Sequence, residues 1–203
     1  MVFADIEPIL LACDDSSSRL LPNGNRFVRH LPDQGPLAFL HCLYAPAKRE
    51  VQRRVQTGMG RDMPEDVNEF LQHANGAAMF DKTIHIYGYV DTFSRSTRLR
   101  DQTAISLLFE NQTFATAAPD RWRSGWVKVG AVMGWRTLIS LETHVAGQCA
   151  LVPQEGNAVE YESFGGMMRS MVERVAPCFT CSGATDHTYA ELEAALASLI
   201  RAH

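Results

Sequence analysis

Two thiols at CxxC spacing, Cys178-Phe179-Thr180-Cys181 with His187 nearby, are the residues of this chain that come nearest to a metal or redox motif. A structural zinc takes four protein ligands. The sequence holds no second CxxC, so the set would need a Cys or His from elsewhere in the fold. A redox CxxC draws its low thiol pKa from a helix N-terminus, whereas this pair follows the end of a helix, where the dipole acts in the opposite sense. Two loop thiols are the favoured reading, and neither metal nor cofactor is expected. No Gly-x-Ser-x-Gly elbow and no GxxxxGK[ST] loop occurs, which removes the usual grounds for acyl transfer or nucleotide binding. His41, His73 and His144 have no His or carboxylate at ligand spacing, and His85 reads as a sheet-face histidine between Ile84 and Ile86. Glu160 and Glu162 would share one strand face as solvated acids rather than as an opposed catalytic pair. No catalytic residue is assigned.

Whatever the chain does, its elements must come from an ordinary globular mixture. The 203 residues are 46% hydrophobic and 21% charged, enough for one domain with a sizeable core. Nineteen basic against 23 acidic residues give a net charge of −4, the wrong sign for a general nucleic-acid binder, although Arg95, Arg98, Arg100, Arg121 and Arg123 are a local basic group. No window has the length of apolar sequence that a membrane span needs. The start, with Asp5 and Glu7 and without a basic segment, does not read as an export signal, so a cytoplasmic protein with reduced thiols is expected for the five cysteines.

Element signals sharpen from Ala47 onward. Val51 and Val55 mark a short amphipathic helix ending near Gly58 and Gly60. Pro64 opens a second helix, with Glu65 and Asp66 in its first turn and Val67, Phe70, Leu71 and Ala74 on one face, and Asn75-Gly76 stops it. Ile84 to Tyr89 alternates as a strand. Asp91 to Asp101 reads as a solvated loop, and Ile105, Leu108 and Phe109 have helical spacing. Trp126–Met133, Thr137–Glu142, Ala146–Val152 and Ala158–Glu162 form a meander broken by Gly134, Gly147 and Gly156. Ser163 caps a helix whose Phe164, Met167, Met168, Met171, Val172 and Val175 keep an i, i+3, i+4, i+7 stripe, read as core. Pro177 ends it, and Thr188 with Glu191 opens a last helix. Leu37 to Tyr44 is an apolar run open to either assignment. The order, helices, then strands, then helices, predicts an α+β fold.

The run from Met63-Pro64 through Asn75-Gly76, followed by Ile84-His85-Ile86-Tyr87-Gly88, resembles the SUKH superfamily (Smi/Knr-like) signature of a proline-started helix, an Asn-Gly stop and an aromatic-Gly strand. Trp126 to Gly134 is similar to the family's Trp-containing strand, Gly147 to Val152 to its Gly-initiated strand, and Ser163-Phe164 to the start of its closing helix. The resemblance covers residues 47–176. It leaves an N-terminal arm, 1–46, of uncertain structure and a C-terminal extension, 177–203, with a helix. Pro64, Asn75, Gly76, Gly88, Trp126 and Phe164 would be structural motif residues.

What the resemblance implies is a twisted antiparallel sheet flanked by helices that serves as a platform for a protein partner. In bacteria such domains include immunity proteins that neutralise toxin domains, often nucleases, in toxin-antitoxin and polymorphic toxin systems. The expected partner is a toxin domain rather than nucleic acid or membrane, met by Glu142, Glu155, Glu160 and Glu162 with Trp135 as an exposed aromatic anchor. A regulatory or scaffold adaptor for a host protein is the alternative, and a metal or thiol protein using Cys178 and Cys181 is a third.

Overall fold

The apolar stripe from Phe164 to Val175 does what its period requires. In the computed structural model, which describes residues 2–90, 98–134, 136–179 and 189–201, helix α6 (Phe164–Val175) buries Phe164, Met167, Met168, Met171, Val172 and Val175 completely. Ser163 caps it by accepting a hydrogen bond from Gly166 N at 3.1 Å. Against it pack α1 (Val2–Leu11), α3 (Glu65–His73) and α7 (Tyr189–Leu199), while α2 (Arg49–Met59), α4 (Leu107–Ala117) and α5 (Pro119–Arg123) complete the helices.

The strands are β1 (Arg19–Leu20), β2 (Arg26–His30), β3 (Phe39–Leu43), β4 (Ala77–Met79), β5 (Ile84–Ile86), β6 (Trp126–Met133), β7 (Leu138–His144), β8 (Cys149–Pro153) and β9 (Val159–Tyr161). They form one antiparallel sheet in strict sequence order, so the fold is α+β as the element order predicted. Its register can be followed across the sheet. Leu43, Ala77, Ile86, Gly130, Leu141, Leu151 and Val159 oppose one another in turn and face the helices. The neighbouring row, Cys42, Ala78, His85, Ala131, Ser140 and Val152, points to the other side.

Residues 1–46 are more than an arm. They supply α1, whose Phe3, Ile6 and Leu10 join the main core, and three strands of the sheet. The ambiguous run after Leu37 is strand β3, and Pro22-Asn23-Gly24-Asn25 is the β1–β2 turn, with Gly24 at φ +92°. The segment from Ile105 differs from its reading: the helix starts at Leu107, capped by Ser106, and Phe109 is 65% exposed rather than part of a buried stripe. Of the Asp91–Asp101 loop, Leu99–Asp101 is a 3-10 turn, and 91–97 lie outside the described residues, as does Thr188 ahead of α7.

Two buried asparagines act as short strands. Asn75 Nδ2 donates to Tyr89 O at 3.0 Å while its Oδ1 accepts from Tyr89 N at 2.7 Å. Asn111 Oδ1 accepts from Lys128 N, and its Nδ2 donates to Lys128 O, both at 2.8 Å, beside the β-bulge of β6. Each amide satisfies a pair of peptide groups that the sheet leaves over. Gly76, expected as the C-cap of α3, has another reason to be glycine. The helix ends at His73 and Ala74 is extended, whereas Gly76 sits at φ +86° where a Cβ would lie 2.5 Å from Ala104 Cβ and 2.7 Å from Ile86 O.

Candidate functional site

The site is built from the polar side of α3. Val67, Phe70 and Leu71 face the core, which leaves Glu65, Asn68, Glu69 and Gln72 at i, i+3, i+4 and i+7 on the opposite side. That ridge forms one wall of an open groove of about 930 Å³. Gln52 and Gln56 of α2, the β7–β8 turn at Val145–Gly147, and Glu162 and Ser163 before α6 complete it.

Two of its side chains, Gln56 and Asn68, are held from behind by hydrogen bonds. The Tyr89 hydroxyl donates to Asn68 Oδ1 and accepts from Gln56 Nε2 at 3.2 Å, and Asn68 Nδ2 donates to Met63 O at 2.8 Å. Burial pushes the Tyr89 hydroxyl above the usual tyrosine range, which keeps it a neutral donor. Asp66 is committed to structure, accepting from Val67 N at 2.9 Å and from Phe164 N, the first residue of α6, at 2.7 Å. Glu65, Glu69 and Glu162 take part in no ion pair among the described residues. Among the described residues the lining contains no Lys, Arg or His, and Val145, 47% exposed, adds an apolar edge.

The five surface residues singled out in the sequence are not brought together. Glu142 is corrected outright. It lies on β7 only 2% exposed, its Oε2 2.6 Å from Arg121 Nε, while the Arg121 guanidinium stacks 4.3 Å above the Trp126 ring. The reason is its register opposite Lys128 and Ala150, under α5, where an open strand face was expected. Glu155 is exposed in the β8–β9 turn and Glu160 on the edge strand β9, but Glu162 alone reaches the groove. Trp135 lies outside the described residues. The groove residues missed in the sequence had one available signal, the acidic and amide spacing of α3 opposite its apolar face.

The thiols need a second correction. Cys13 is disulfide-bonded, against the expectation of reduced cysteines throughout, whereas Cys42, Cys149 and Cys178 are free and buried. Burial pushes the Cys42 and Cys149 thiols up to about 12, which leaves them poor nucleophiles. Cys181 and His187 lie outside the described residues, and among those described no group of three or more His, Cys, Asp or Glu is arranged to hold a metal. No helix among them is long and apolar enough to cross a membrane.

The fold defines a class, an α+β protein whose one nine-stranded antiparallel sheet carries helices, and the groove sets a polar, acidic site at its edge. Comparisons with protein-family models, with curated proteins and with solved structures give no match.

Proposed function

We propose that the chain is a non-catalytic protein-binding domain of the immunity type, related to the SUKH superfamily, that captures and neutralises a basic toxin domain. The observation that carries this reading is the groove, where Glu65, Glu69 and Glu162 stand with four carboxamides, two of which, Gln56 and Asn68, are held by the Tyr89 hydroxyl, and with no basic side chain among the described lining residues. Carboxylates and carboxamides on a pre-organised wall offer acceptors to lysine and arginine side chains, and the acidic field speeds encounter with a cationic nuclease. The order of the Pro64 helix, Asn75-Gly76, Gly88, the Trp126 strand and the Ser163-Phe164 helix supports the same reading.

The test is capture of the partner from the native cell, then titration of the purified pair. The triple charge reversal Glu65→Lys, Glu69→Lys and Glu162→Lys should weaken binding at least tenfold with little change in melting temperature, and raising salt should slow association to the wild-type chain. Unchanged affinity in the triple variant would remove the groove from the interface. A chain that captures no protein yet turns over a small molecule would overturn the reading itself.

A further inference from the structure

The turn between β4 and β5 holds three successive non-glycine residues in the left-handed region, Phe80 at φ +52°, Asp81 at +49° and Lys82 at +67°. L-residues avoid that region, so neighbouring contacts must hold all three there. Two backbone contacts do so, Asp81 N to Leu40 O at 2.9 Å and Thr83 N to Phe80 O at 3.0 Å. The third is a side chain: Phe80 N donates to Nδ1 of His41 at 3.2 Å. His41 is 1% exposed on β3, with the Phe80 ring edge-on at 4.7 Å. On its far side Phe80 meets Phe179, the residue that closes the 3-10 turn after α6, at 5.6 Å between ring centroids.

We infer that this turn is an acid-released latch. A proton taken up at Nδ1 of His41 converts the acceptor of the Phe80 N–H into a second donor, so the left-handed turn loses its hold and the Phe80–Phe179 contact opens with it. No bond other than N–H is made, and the proton comes from solvent. Among the described residues, the titratable groups on the elements packed around His41 are Arg26, Arg29 and His30 on β2, Cys42 on β3, Asp81 and Lys82 in the turn, His85 on β5 and Cys178 beside Phe179. None of these moves His41. Burial by itself pushes the imidazole down to about 4 from 6.5. The sign follows: the closed turn binds its proton only near pH 4 and an opened turn near 6.5, so the open population grows as pH falls through that interval, by close to tenfold per pH unit. The inference is independent of the groove.

Native-state amide hydrogen exchange across pH 6.5 to 4, corrected for intrinsic exchange rates, tests it. Phe80 and Asp81 should lose protection about tenfold per unit while Leu141, fully buried on β7, keeps its own. The variant His41→Asn places a carboxamide oxygen where Nδ1 stood, accepts from Phe80 N and takes up no proton, so its Phe80 protection should be flat. Parallel loss at Phe80 and Leu141, meaning global unfolding, would overturn the latch, as would the same slope in His41→Asn. If that variant fails to fold, the ¹⁵N shift of His41 Nδ1 in the wild-type chain replaces it. Its titration midpoint must coincide with the opening of Phe80, and separate midpoints reject the mechanism.

Discussion

Asp66 and Phe164, 98 positions apart in sequence, are joined by a 2.7 Å hydrogen bond from the backbone N–H of Phe164 to the Asp66 carboxylate. The same carboxylate accepts from Val67 N, so one side chain completes the N-termini of two helices, α3 and α6. Their contact beneath it is the edge-on pair of Phe70 and Phe164 at 5.7 Å.

Replacement of Asp66 by alanine should therefore cost more than an ordinary cap. Two N–H groups lose a charged acceptor, a loss of about 2 kcal/mol, which in a chain of this size lowers the melting temperature by roughly 4–8 °C. Asp66→Asn keeps an acceptor oxygen and should fall between the two. Thermal unfolding by circular dichroism measures this, and an Asp66→Ala variant that melts with the wild type would show that the inter-helix bond contributes nothing.

Gly76 and Gly60 separate backbone strain from packing. Both are left-handed, at φ +86° and +67°, but a Cβ on Gly60 would meet nothing within 4 Å. Gly60→Ala should cost about 1 kcal/mol, the conformational term by itself. Gly76→Ala adds overlap with Ala104 and the Ile86 carbonyl and should cost at least about 3 kcal/mol, enough to reduce soluble yield. Urea melts of the two variants give the comparison, and equal midpoints would mean that the close approach at Gly76 relaxes freely.

Glu142→Ala is expected to destabilise rather than to disturb recognition. It leaves Arg121, a third exposed and stacked on Trp126, without its carboxylate, at a cost of about 2 kcal/mol. The double variant Glu142→Ala with Arg121→Ala should recover part of that loss, because no unpaired charge is left under α5. Urea denaturation of the four members of the cycle measures the coupling, and strict additivity would contradict the pairing.

The parts of the fold that were legible in the sequence are those where one physical signal decides. The stripe of α6, the polar and apolar faces of α3 and the glycine-punctuated meander from Trp126 to Tyr161 each follow from a period set by burial. In the first 45 residues Phe3, Ile6 and Leu10 keep a helical period in α1, but β3 carries none, since it is buried on both faces, as the fully buried run Phe39–Leu43 shows. Strand β4 is three residues of Ala-Ala-Met, too short and too small-chained to announce itself. At the groove, the acids of α3 could be read from helical spacing, but Val145 and Glu162 reach it through tertiary structure. Glu142 was misplaced for a related reason. Alternation along β7 put it on the face away from the core, and only the packing of α5 shows that this face is covered too.

The ion pair of Asp5 with Arg169 at 2.6 Å has a consequence for how the protein is made. Helix α1 is translated long before α6, yet its apolar side rests on α3 and on α6. At roughly 5–20 residues per second, Phe3, Ile6 and Leu10 wait on the order of ten to thirty seconds for their cover. Through that interval the nascent chain presents a greasy amphipathic helix to the cell, and a chaperone that binds such segments would meet this protein at α1.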